Sequence, residues 1–125
     1  MGVFKTKLKV WNPARPARAR GLSLIVDTGA SYSWVSRKQL EALGIRATRR
    51  EQFRTIEGRI VERDLAPVFV RLNGHIGGDT VVMAEPGDAQ VLGAHTLETL
   101  GLAADPVKKK LVPTTGFALM IRGVD

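Results

Sequence analysis

The chain has 125 residues, 44% of them apolar and 25% charged, which fits a single folded domain spanning residues 1–125. It contains no cysteine, excluding disulfides, thiolate metal sites and a cysteine nucleophile. Its two histidines, His75 and His95, lack a metal-ligand spacing, so no metal and no cofactor are expected. A net charge of +7 raises nucleic acid as a partner, yet the basic residues are scattered: Arg15, Arg18 and Arg20; Arg46, Arg49 and Arg50; Lys108, Lys109 and Lys110. The few aromatics are not interleaved with them, so a solvated basic face is favoured and no nucleic acid is expected.

The first residues alternate apolar and charged side chains too soon for a signal peptide. No apolar run approaches the roughly 18 to 20 residues that span a bilayer. A soluble, cytoplasmic protein with no membrane partner is the expectation.

Val3 to Trp11 has strand periodicity, with Phe4, Thr6, Leu8 and Val10 on one face and Lys5, Lys7 and Lys9 on the other. Asn12-Pro13 ends it, and a Pro/Arg/Ala stretch through Arg20 connects to the apolar run Leu22 to Val26, which fits a buried strand. After Asp27-Thr28-Gly29, the residues Tyr32, Trp34 and Val35 suggest another short strand. Ser36 and Gln39 have the spacing of a capping box, Leu40 and Leu43 give the following helix its apolar side, and Gly44 supplies its stop. Two hairpins are then expected: Gln52 to Ile56 with Arg59 to Leu65 around Glu57-Gly58, and Val68 to Leu72 with Ile76 to Met83 around Asn73-Gly74. A loop from Ala84 to Gln90 leads to Val91-Leu92-Gly93 and a second helix, Ala94 to Leu100, closed by Gly101. Strands at Leu111 to Pro113 and Phe117 to Ile121 finish a mostly-β, barrel-like domain with two small helices.

The chemistry concentrates at Leu24-Ile25-Val26-Asp27-Thr28-Gly29-Ala30-Ser31. A carboxylate closing an apolar run is costly unless it is held by donors. Gly29 permits the tight turn that frees backbone N–H groups for that task, and the Thr28 hydroxyl adds a donor. These features suit an Asp27 held rigidly in a partly desolvated site. The tripeptide taken alone favours a turn at a strand end.

Ile25-Val26-Asp27-Thr28-Gly29-Ala30 resembles the hallmark of the retropepsin-like aspartic proteases, the retroviral proteases and their single-domain bacterial relatives. Val91-Leu92-Gly93 resembles their second hallmark, an apolar pair plus glycine entering a helix, and Leu100-Gly101 closes that helix as family members do. Between the two, Gln52 to Leu65 lies where such proteins carry a hairpin flap. The resemblance covers Leu22 to Val112. It departs at Ala94, where retroviral members have an arginine that helps tie the dimer together.

The resemblance implies a closed retropepsin-like barrel that works as a homodimer, each copy giving one Asp27 to a catalytic pair that hydrolyses a peptide or protein substrate with an activated water. It further implies supporting roles for Thr28 and Gly29. Substrate contacts are implied for Ala30, Ser31, Tyr32, Trp34, Val91 and Leu92, and for Glu57 and Gly58 at the flap tip. Core packing is an equal reading for Trp34, Val91 and Leu92, and a solvated turn for Glu57. Asp64, Asp79, Asp88 and Asp105 lack the motif around Asp27; Asp105 before Pro106 fits a turn, and His95 fits a surface helix position. The alternative function is a non-catalytic dimerisation or peptide-binding module on the same fold.

Overall fold

Alternating apolar and charged side chains form the first strand, β1 (Lys5–Trp11), which buries Leu8 and Val10 and leaves Lys5, Lys7 and Lys9 in water. The computed structural model describes residues 3–115. The strand expected over Phe117 to Ile121 lies outside them. Antiparallel to β1 runs β2 (Arg20–Val26), burying Leu22 and Leu24 on the same side.

The next strand, β3 (Trp34–Ser36), passes directly into the helix α1 (Arg37–Ala42). The Ser36 side chain accepts from the Gln39 N–H at 3.3 Å, which caps the helix. Only this half of the expected capping box forms, because the Gln39 side-chain oxygen accepts from Arg20 instead. Leu40 and Leu43 are buried, and Gly44 turns the chain with φ +74°.

The strands β4 (Arg49–Arg54) and β5 (Ile60–Leu72) form a hairpin. At its tip the Thr55 N–H donates to Arg59 O, and Gly58 has φ +89°, a conformation that favours glycine. Ile56 at this tip is completely exposed and Ile60 half exposed. The sequence suggested two strands divided at Ala66-Pro67; the structure has one strand of 13 residues. Its backbone groups point alternately to either side, and Leu65 O accepts from Thr48 on the β4 side. Pro67 therefore turns the same way, into the gap between the end of β4 pairing at Leu65 and the start of β1 pairing at Phe69, where a missing N–H leaves no ladder bond unmade.

The Asn73-Gly74 turn connects β5 to β6 (His75–Ala84), with both residues at positive φ as the turn requires. Then come β7 (Val91–Leu92), α2 (Ala94–Leu100) with Gly101 as its left-handed cap, and a terminal hairpin of β8 (Leu102–Asp105) and β9 (Lys110–Pro113). The sequence reading did not anticipate β8. The Asp105 turn is as expected: its carboxylate accepts from the N–H groups of Val107 and Lys108.

The molecule is mostly β, as expected for an aspartic protease fold. Neighbours in the main sheet run β1-β2-β7-β3-β6-β5-β4, and β1 pairs with β5 as well. One face of these strands, closed over by α1, α2, β8 and β9, holds the core of Leu8, Leu24, Val35, Val70, Met83 and Leu92 with their neighbours. Strand pleating sends alternate residues to the other face, where Leu65, Val82, Trp34, Val91 and Ile25 stand as successive cross-strand neighbours. This second apolar row ends two residues before Asp27.

Candidate active site

Hydrogen bonds from the β7–α2 junction bind the loop from Asp27 to Ser33 on several sides. The Asp27 N–H donates to Leu92 O at 2.9 Å, the Ala94 N–H to Ala30 O at 2.8 Å, and the His95 N–H to Ser31 O at 2.8 Å. The Gly93 N–H donates to Ser33 Oγ at 2.9 Å. Gly93 permits this contact because a Cβ there would lie 2.3 Å from Tyr32 O and 2.8 Å from Ala30 O. Within the loop, the Gly29 N–H donates to Asp27 Oδ1 at 3.0 Å and the Ala30 N–H to Asp27 O at 3.2 Å. The Asp27 carboxylate is thus oriented by a backbone donor, as the turn chemistry suggested.

Asp27, Thr28 and Gly29 are nevertheless exposed in the single chain. The partly desolvated environment expected from the sequence is not present there: β2 ends at Val26, and the turn that follows is exposed from Asp27 to Gly29. Two surface depressions beside α1, lined by residues such as Arg37, Glu41 and Ile45 or Lys38, Glu85 and Asp88, include no residue of the Asp27–Ser33 loop.

The aromatic residues expected at the cleft do come together. The Trp34 ring lies 5.1 Å from Phe53 and the Tyr32 ring 6.1 Å from Phe53, both edge-on, and Tyr32 sits 5.8 Å from the His95 imidazole. Arg49, braced by Glu51 at 2.8 Å, donates to the Tyr32 hydroxyl at 3.2 Å. Phe53 was missed in the sequence. Its signal was the period-two placement of Glu51, Phe53 and Thr55, whose side chains are half-buried while their β4 neighbours are exposed.

Val91 and Leu92, expected to form one apolar wall, separate by the pleat. Val91 belongs to the row shared with Trp34, whereas Leu92 is fully buried in the opposite core and cannot face a cleft. Ala30 is half-buried and Ser31 exposed. Glu57 and Gly58 occupy the exposed tip of the β4–β5 hairpin. There the Glu57 carboxylate accepts from its own N–H and from the Thr55 hydroxyl, which holds it below the usual carboxylate range.

Asp79 is the second miss. It stands in β6 ahead of Thr80-Val81-Val82-Met83, with a side chain 0% exposed. Its carboxylate accepts from the Thr80 N–H at 2.9 Å, from His95 Nδ1 at 2.7 Å and from the Thr96 hydroxyl. The rule that singled out Asp27, a carboxylate bordering an apolar run, applied to Asp79 too. His95 is half-exposed, as a surface helix residue should be, but its ring is held by this buried partner. Among the described residues no group of three or more His, Cys, Asp and Glu side chains is arranged to hold a metal.

A family model described as aspartyl protease matches residues 19–96. The chain belongs to the aspartyl protease family. That family is one of the retropepsin-like clan, in agreement with the motif around Asp27. The matched span of this aspartyl protease family member includes the Asp27 loop, the aromatic cluster, Asp79 and the β7–α2 junction, and omits β1 and the β8–β9 hairpin. Comparison with curated proteins found no match.

Proposed function

We propose that the protein is an aspartic endopeptidase that acts as a homodimer, with Asp27 from each of two copies forming the catalytic pair. One observation carries this reading. In a member of the aspartyl protease family, the motif carboxylate is oriented by the Gly29 N–H and braced through Leu92, yet it is open to solvent. A single chain carries one such motif, and a twofold axis beside the loop would supply the second carboxylate and shield both from bulk solvent. In the pair, about 3 Å apart, like charges cannot both ionise, so the two share one proton. The ionised member takes a proton from water as that water attacks the scissile carbonyl, and the protonated member donates to the carbonyl oxygen.

In this arrangement the two Thr28 hydroxyls meet beneath the pair, and Gly29, Ala30 and Ser31 contact the substrate backbone. The strand pairings that run from β1 back to β1 through β5 support the reading of a closed barrel beneath. The β4–β5 hairpin acts as the flap, with Glu57 and Gly58 at its tip, and binds an extended peptide as an added strand. The row of Trp34, Val91 and Ile25, continued by Tyr32 and Phe53, offers apolar contacts for peptide side chains.

Cleavage of a peptide library, measured with and without a pepstatin-type inhibitor, tests the reading. Asp27→Asn is expected to lower turnover by at least 100-fold while leaving the fold intact, since it removes the acid–base pair. Sedimentation under the same conditions is expected to give a mass of two chains. Equal turnover by both proteins rejects the mechanism, and a folded wild type that binds peptides without cutting them identifies a binding module instead.

A further inference from the structure

We infer that Asp79 is a positioning residue for Asp27, acting through a directed chain of buried hydroxyls rather than by touching substrate. The inference rests on the protease reading for its consequence, though its geometry stands independently. Asp79 is the only carboxylate among the described residues whose residue is classed as buried. Ser33 and Thr96, both 0% exposed, connect it to the Asp27 loop.

The donors in this chain have one consistent order. The Thr96 hydroxyl gives its hydrogen to Asp79 Oδ2, so in its contact with Ser33 it can only accept. Ser33 therefore donates to Thr96, and its remaining lone pairs receive the Gly93 N–H at 2.9 Å. The backbone of Ser33 takes part as well, its carbonyl accepting from the Val82 N–H at 2.9 Å. Polarity runs from Gly93 through Ser33 and Thr96 to Asp79, fixed by a carboxylate that can only accept. The other carboxylate oxygen receives the His95 ring and the Thr80 N–H, so the buried charge is satisfied on both sides.

Asp79 on β6 thereby fastens α2, through His95 and Thr96, to the segment that carries Asp27. The same short stretch of α2 supplies the Ala94 and His95 N–H groups that brace Ala30 and Ser31. If this order is lost, the Ser33 side chain is free to rotate about Cα–Cβ, which carries Oγ away from the Gly93 N–H and frees the loop to shift. Misplacement of a reacting group by about 1 Å can cost 100-fold in rate.

Thr96→Val and Thr96→Ser separate relay from packing, because valine keeps the shape and removes the hydroxyl whereas serine keeps the hydroxyl and removes a methyl. Expected is a 10- to 100-fold lower kcat for Thr96→Val with KM within about twofold, and near wild-type kcat for Thr96→Ser. Hydrogen exchange at the amides of Asp27, Ala94 and His95 is expected to accelerate in the valine variant alone. That readout needs no proteolysis, so a wild type that cleaves nothing would defeat the protease reading while the exchange data still judge the inference. Should the valine variant not fold, Ser33→Ala, which breaks the same chain one link nearer the loop, is expected to give the same kcat and exchange changes. The inference is overturned if Thr96→Ser and Thr96→Val behave alike, or if the hydroxyl-free variants lower only the melting temperature.

Discussion

Gly93, at the β7–α2 junction, and Asp27, on the loop that this junction braces, meet opposite demands. Gly93 has no room for a side chain, since a methyl group would press on the backbone carbonyls of Tyr32 and Ala30, which cannot rotate away. Gly93→Ala is therefore expected to destabilise the protein by about 3 kcal/mol, at the upper end for overpacking, as measured by urea unfolding. An effect below about 0.5 kcal/mol would mean that the loop yields without cost. Asp27 lies exposed, and its sequence context of apolar residues gave the contrary expectation. The context was sound for Leu24, which is buried, but β2 ends at Val26, and Asp27, the next residue, is exposed. Asp79 was passed over for a related reason: its partners His95 and Thr96 lie 16 and 17 residues away, and Ser33 reaches it only through Thr96, from which it is 63 residues distant, a closeness that no local pattern displays.

At the level of elements, the β4–β5 hairpin is fixed at its base by ion pairs that involve α1 and the loop after β6. Arg37 at the start of α1 joins Asp64, and reaches Glu85 at 2.7 Å. Arg63 on β5 grips both oxygens of Asp88 at 2.7 and 2.9 Å. The Arg37 guanidinium holds Asp64 below the usual carboxylate range, and Arg63 does the same for Asp88. A carboxylate lowered in the folded state adds stability at pH above its unfolded value and loses it as pH falls through the folded value. The base of the hairpin should thus hold fully above about pH 5 and weaken progressively below about pH 4. Thermal unfolding of wild type and Arg63→Gln across that range checks this. The variant should be about 1.5–3 kcal/mol less stable near neutrality, and the gap should narrow on acidification. A gap that stays constant down to pH 2 would assign the effect to packing of the arginine stem.

The elements themselves were largely legible: alternation gave β1, Asn73-Gly74 gave its turn, and Ser36 and Gly101 bounded their helices. The unity of β5 was not. Proline argues against a central strand, and only the arrangement of three neighbouring strands shows that Pro67 faces a gap.

For the whole molecule, the pairing pattern divides the strands into two classes. In the main sheet, among the described residues, β1, β2, β7, β3, β6 and β5 each have a partner on both sides, whereas β4 has only β5. Opening β4 breaks a single ladder, but opening any of the others breaks two and uncovers the core. Hydrogen exchange should accordingly show the Thr55 amide, which donates to Arg59 O, exchanging through local opening, at least 100-fold faster than the β6 amides that open only with the whole fold. Equal protection in both would show that the hairpin and the rest of the sheet melt as one unit.

Ile56 stands at the far end of that singly paired strand, wholly in water. Covering such a side chain is worth about 1.5–3 kcal/mol, or roughly 10- to 100-fold in an equilibrium between an uncovered and a covered tip. Alone, the hairpin gains nothing from swinging in any direction. Once a neighbour offers Ile56 an oily berth, the same swing becomes strongly favourable, so contact with company, more than any internal spring, decides which posture prevails.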